Sequence, residues 1–147
     1  MNSENILTIE NVIEIEQPIG TFLLAKVKAN ELLDISFKEE RVYNKELQDY
    51  VGNQRAIKED KVKKIRNFIN TPDSTFPNTI IGTLVDEYYE YSSETKTLKI
   101  YRNKSAFKII DGQHRLAAFD GLLMAQKFDL LVTFFLNADL NDQAYIF

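Results

Sequence analysis

The chain has 147 residues, a length typical of one domain, with a formal net charge of −4 and a pI of about 5.1. It contains no cysteine and one histidine, which excludes disulfides, thiolate metal sites, a cysteine nucleophile and a multi-histidine metal site. The net negative charge excludes a polycation, so any contact with nucleic acid must use a local basic patch.

No membrane-targeting feature is present in the sequence. The N-terminus lacks the positive start and apolar run of a secretory signal. The longest apolar run, residues 130–136, is far shorter than the ~20 residues that span a bilayer. We therefore expect a soluble cytoplasmic protein with no membrane partner.

The first part of the chain predicts strands followed by a short helix. Residues 6–15 alternate in part between apolar and polar and predict a strand, and residues 21–28 predict another. Asn30 is the expected N-cap of a short helix over residues 31–36. Residues 38–53 are polar with scattered aromatic side chains and predict loop and turn.

Residues 57–70 give the clearest helix prediction in the chain. Val62, Ile65 and Ile69 recur at helical spacing, and the Thr71-Pro72 pair ends the pattern. The helix also carries several basic side chains, of which Lys61 shares a face with Lys64. These lysines could contact phosphates, but an ordinary solvated face is the preferred interpretation.

The second half alternates strands with helices. Strands are expected over residues 79–85, 88–91, 97–102, 106–110 and 130–136, and helices over residues 115–124 and 141–147. The polar stretch 92–96 predicts a hairpin between two of these strands. The expected fold class is α/β, in detail α+β, with helices 57–70 and 115–124 packed on a small mixed sheet.

The segment with the most chemical content is residues 107–119, FKIIDGQHRLAAF. A strand runs into a turn and a helix follows at once, so the first N–H groups and the dipole of that helix would form an anion site. Gly112 lets a ligand approach the backbone, and Arg115 carries a charged fork suited to phosphate. Asp111 could bind a metal or a ribose hydroxyl, and His114 titrates near neutrality. An equally weighted alternative makes Asp111 a helix cap and Arg115 a surface ion-pair partner.

The motif Asp111-Gly112-Gln113-His114-Arg115 resembles the signature of the DGQHR-domain proteins, which include the DndB-like proteins of DNA phosphorothioation systems. The resemblance covers roughly residues 20–147. Its further elements are Gln54-Arg55, Lys61-Val62, Ile65, Phe76-Pro77-Asn78, Ile80-Ile81 and Leu116. Such proteins continue beyond a helix like residues 141–147, so residues 1–147 are expected to be a single domain at the N-terminal part of a longer protein.

The chain is also similar, more distantly, to the ParB/sulfiredoxin-like fold. In that fold a Gly-x-x-Arg turn before a helix holds nucleotide phosphates, and here the turn corresponds to Gly112 through Arg115. ParB proteins bind CTP with this element and sulfiredoxins bind ATP. Sulfiredoxins also need a catalytic cysteine, which this chain lacks, so reduction of sulfinic acids is excluded.

These resemblances imply a domain that binds a nucleoside triphosphate, ATP or CTP with Mg²⁺, in a DNA modification or defence system. The implied nucleotide-binding residues are Gln54, Arg55, Gly112, Gln113 and Arg115, the implied catalytic residues are Asp111 and His114, and Asp111 is the implied metal ligand. Whether the triphosphate is hydrolysed stays open. The alternatives are a non-catalytic DNA-binding or regulatory module and a protein-interaction scaffold. The expected partners are the nucleotide and, through the full-length protein, DNA; a homo-oligomer stays open.

Overall fold

The computed structural model describes residues 5–38, 42–44, 49–51, 58–139, 142–143 and 146. The strands in these ranges are β1 Ile6–Ile9, β2 Ile13–Gln17, β3 Gly20–Lys28, β4 Ser36–Phe37, β5 Val42–Asn44, β6 Asp49–Val51, β7 Ile80–Leu84, β8 Tyr89–Ser92, β9 Thr97–Tyr101, β10 Phe107–Asp111 and β11 Asp129–Leu136. The helices are α1 Ala29–Ile35, α2 Glu59–Ile69 and α3 Gln113–Ala118, with 3₁₀ turns at Asp86–Tyr88 and Leu123–Gln126. This mixture confirms the expected α+β class.

The largest sheet has six strands in the order β2-β3-β11-β7-β10-β4. It is mixed, because β11 runs parallel to β7 and β10 runs parallel to β4, while the other pairs are antiparallel. A smaller antiparallel sheet has the order β1-β9-β8 and contains the expected hairpin. The prediction of a small mixed sheet is therefore confirmed.

The helices and the large sheet share one hydrophobic core. Fully buried side chains of α1 and α2, among them Leu32 and Ile69, belong to the same cluster as Phe134 of β11 and Phe107 of β10. The rings of Phe107 and Phe134 lie 5.0 Å apart between centroids. Burial of such large apolar side chains is the main term that holds the helices on the sheet.

Several expected element boundaries differ from the structure. The strand expected over residues 6–15 is divided into β1 and β2, with Asn11 between them at a φ of 58°. Asn30 is not an N-cap: it lies inside α1, which follows β3 directly and has no side-chain cap. Residues 38–53, expected as loop and turn, include the short antiparallel pair β5 and β6.

The helix expected over residues 115–124 is shorter and begins earlier. α3 starts at Gln113 and ends at Ala118, and Gly121 follows in the left-handed region with a φ of 78°. The apolar pattern that extends to residue 124 belongs instead to the 3₁₀ turn. Of the helix expected over residues 141–147, positions 142, 143 and 146 are described and are helical. No helix in the described ranges is long and apolar enough to cross a membrane.

Candidate functional site

The turn between β10 and α3 is built around Gly112. Its φ of 96° is a left-handed conformation that side chains rarely adopt. A Cβ placed there would lie 3.0 Å from Cγ1 of Ile80 and 3.1 Å from Nη2 of Arg115. Gly112, not Asp111, occupies the N-cap position of α3, and no side chain caps the helix. The alternative in which Asp111 is the helix cap is therefore wrong.

Arg115 joins α3 to the start of β7. Its Nη1 donates to the carbonyl of Asn78 at 2.7 Å, and its Nη2 donates to the carbonyl of Thr79 at 2.8 Å. Burial lowers the pKa of Arg115 from its usual value, and the carboxylate of Asp111 opposes that effect. The guanidinium keeps its charge and carries five N–H donors, of which these bonds use two. Arg115 thus bonds backbone carbonyls, and the alternative of a surface ion pair is wrong.

His114 joins α3 to the beginning of α2. Its Nε2 accepts a hydrogen bond from the backbone N–H of Lys58 at 3.1 Å, so the neutral ring carries its proton on Nδ1. Partial burial lowers the pKa of His114, and the positive charges of Lys61, Lys38 and Lys58 lower it further. Burial is the largest cause of the lowered pKa, and each of the three lysines adds a smaller contribution of the same sign.

An open cleft of about 320 Å³ lies at this turn. It is lined by Lys61, Ile65, Asp111, Gly112, Gln113, His114 and Arg115. The structure therefore brings the whole DGQHR motif to one cleft. Asp111 is exposed and supplies the carboxylate in that lining. The other predicted pair, Gln54 and Arg55, lies outside the described residues.

No cluster of three or more potential metal-ligating side chains occurs in the part of the chain that the structure describes. Among the described residues that line the cleft, the predicted metal ligand Asp111 is the only carboxylate. Mg²⁺ is commonly held in proteins by one or two carboxylates together with substrate phosphates and water. A single carboxylate would fit that pattern if phosphates bound beside it, and the metal role of Asp111 stays a prediction.

A family model described as DndB, DNA-sulfur modification-associated, matches residues 11–147. The chain belongs to the DndB family. This match confirms the resemblance to DndB-like proteins that the DGQHR motif indicated. No curated protein and no solved structure matches the chain, so the ParB-like fold stays an expectation.

Two features of this DndB-family site differ from the interpretation that the sequence favoured. Lys61 is exposed, as expected of a solvated face, but it also forms part of the cleft wall one helical turn before Ile65. Arg66 does not join the exposed lysines of α2. Its guanidinium donates to the carbonyls of Ala117, Ala118 and Asp120 at the end of α3, at 3.5, 3.2 and 3.5 Å. The i, i+4 spacing of Lys61 and Ile65 could have indicated the first feature, but backbone acceptors leave no signal in a sequence.

Proposed function

We propose that the cleft beside Gly112 binds the phosphate groups of a nucleotide, ATP or CTP with Mg²⁺, within a protein that serves DNA sulfur modification. The observation that carries this proposal is the positive charge gathered at an open cleft. Lys61 and Arg115 lie in its walls, and the lowered pKa of His114 has the charges of three lysines among its causes. Phosphate groups are the common biological ligands that suit such a site.

Each part of the cleft has a role in this proposal. Lys61 supplies a mobile ammonium that reaches phosphate as a point charge. Arg115 offers N–H donors beyond the two that bond Asn78 and Thr79, while those two bonds fix its plane. Gly112 leaves the turn without a Cβ, so phosphate oxygens can approach the backbone.

Binding is better supported than hydrolysis. Asp111 would help to hold the Mg²⁺ that accompanies a triphosphate, and the ion would complete its ligands with phosphate oxygens and water. The Nε2 atom of His114 is engaged by Lys58, so a proton-transfer role would have to use Nδ1. The proposal is therefore that the cleft binds a nucleotide, and it does not include hydrolysis.

Calorimetric titration of ATP, CTP and GTP, each with Mg²⁺, tests the proposal. Lys61→Gln removes one charge from the cleft wall and should weaken the best ligand by about tenfold, a loss of about 1.4 kcal/mol. Lys63→Gln is the matched control, because Lys63 is exposed on the same helix and does not line the cleft. Equal effects of the two substitutions, or no binding of any nucleotide, would contradict the proposal.

The exposed lysines of α2 favour a second candidate, a regulatory module that contacts the DNA backbone. Lys61, Lys63 and Lys64 are exposed on this helix, and Lys58 is exposed at its N-cap position. In that case Lys61→Gln and Lys63→Gln should weaken duplex binding alike, and each should make the slope of log affinity against log salt shallower by about 1. The same pair of variants therefore separates the two functions.

A further inference from the structure

We infer that a second, apolar cleft on the other side of Gln113 holds the base of the nucleotide whose phosphates occupy the first cleft. This inference rests on the proposed function and adds a binding site for the base, which is the part of the nucleotide that distinguishes ATP from CTP. It arises from a cavity that neither the DGQHR motif nor the family description assigns.

The second cleft has a volume of about 190 Å³ and lies between α1, β4, β10 and α3, with Lys38 also in its lining. Its apolar walls are formed by Leu33 of α1, Ile109 of β10, and Leu116 and Ala117 of α3. Gln113, Leu116 and Ala117 follow the i, i+3, i+4 spacing, so one face of α3 supplies this wall, and Asp120 extends it just beyond the end of the helix. A mostly apolar slot with a few polar groups is typical of sites for flat organic ligands.

Gln113 lines both clefts and is therefore where they meet. Its side chain is largely buried, with 6% of its surface exposed. A carboxamide offers a donor and an acceptor side by side, the pattern that matches the edge of a nucleobase.

The charged side chains that line the two clefts indicate which end of the nucleotide lies in each of them. Among the described residues, the first cleft is lined by two cations, Lys61 and Arg115, and one carboxylate, Asp111. The second cleft is lined by one cation, Lys38, and one carboxylate, Asp120, so its charges balance. The excess of positive charge in the first cleft favours the phosphates there, and in the second cleft Asp120 can accept a hydrogen bond from the base. Adenine, cytosine and guanine carry an exocyclic amino group that can donate to Asp120, and uracil does not.

The test compares a nucleotide with its phosphate chain alone. Calorimetry on the wild-type chain should show Mg·ATP or Mg·CTP binding at least about tenfold more tightly than Mg·tripolyphosphate, and more tightly than Mg·UTP. Ala117→Leu places three additional carbons in the second cleft. It should lower the affinity for the nucleotide to that of tripolyphosphate, while the affinity for tripolyphosphate stays within about twofold.

Asp120→Ala provides a second variant, at an exposed side chain that lines the second cleft and not the first. It should weaken the nucleotide and leave tripolyphosphate unchanged, so the inference stays testable if Ala117→Leu fails to fold. Equal binding of nucleotide and tripolyphosphate by the wild-type chain would refute the base site and leave the phosphate cleft standing. Absence of binding by both ligands would overturn the proposed function and this inference together.

Discussion

Replacement of Arg115 by alanine should destabilise the fold, because the motif arginine bonds the protein's own backbone. The guanidinium makes two short hydrogen bonds, to the carbonyls of Asn78 and Thr79. Hydrogen bonds to a charged group contribute about 1.5–3 kcal/mol each when their partners are shielded from water. The bond to Asn78 is exposed and its carbonyl can be rehydrated, whereas the bond to Thr79 is partly buried. We therefore expect a total loss of about 3 kcal/mol in the free energy of unfolding.

Denaturant unfolding followed by circular dichroism measures this loss directly. For a chain of this length, about 3 kcal/mol corresponds to a melting temperature lower by about 6–12 °C. Arg102→Ala is the matched control, since Arg102 forms a partly exposed ion pair with Glu31 at 3.7 Å and should cost less than about 1 kcal/mol. The loss of stability in Arg115→Lys should lie between those of Arg115→Ala and Arg102→Ala, because one ammonium cannot reproduce the two parallel hydrogen bonds of the planar guanidinium.

Arg115→Ala unfolding at the same denaturant concentration as Arg102→Ala would refute this reasoning. The expected result also affects how binding data are read. Loss of ligand binding in Arg115→Ala could follow from a displaced turn alone, which is why Lys61 is the better probe of the cleft.

Three further predictions follow from other contacts. Because the pKa of His114 is lowered below its ordinary 6.5, the unfolded chain takes up the proton more readily. Stability is then steady above about pH 6.5 and falls as the pH drops below it, and His114→Gln should flatten that part of the pH profile in denaturant melts. Gly82→Ala puts a Cβ 2.4 Å from the ring of Phe107 and should cost about 3 kcal/mol, whereas Gly121→Ala meets open space and should cost about 1 kcal/mol for its positive φ; thermal melts that rank them in reverse would contradict the packing. Burial, followed by the hydrogen bond to Glu14 and its negative charge, raises the pKa of Tyr91 to about 12, so in a phenolate titration Glu14→Gln should lower this pKa only in part; an unchanged curve would rule out the contact.

The sequence predicted those elements whose signal is local. α2 was expected within two residues of each end, because Val62, Ile65 and Ile69 mark one helical face. β7 was expected within one residue of each end, because its β-branched run is typical of a buried strand. The end of α3 was not predicted, because the helical spacing of apolar residues continues past Gly121, whereas the backbone at Gly121 has a positive φ that ends a helix.

The candidate site was predictable in its location and not in its contacts. The DGQHR motif indicated the turn and the residues that line the cleft. The partners of Arg115 are backbone carbonyls 37 and 36 residues away, and any residue type could supply them. The hydrogen bond from Lys58 to His114 likewise spans 56 residues and depends on how α2 packs against α3. Such contacts depend on tertiary packing, which no local pattern encodes.

The most direct test of the central claim is an amide NMR titration of the folded chain with Mg·ATP and Mg·CTP. The chain has only five glycines, and glycine amides fall in a distinct region of the spectrum, so Gly112 can be followed readily. Saturable shifts at Gly112, Gln113 and Lys61, without shifts at the Lys63 and Lys64 amides, are the predicted result. An unmoved Gly112 resonance at saturating nucleotide would contradict the claim that this cleft binds phosphate.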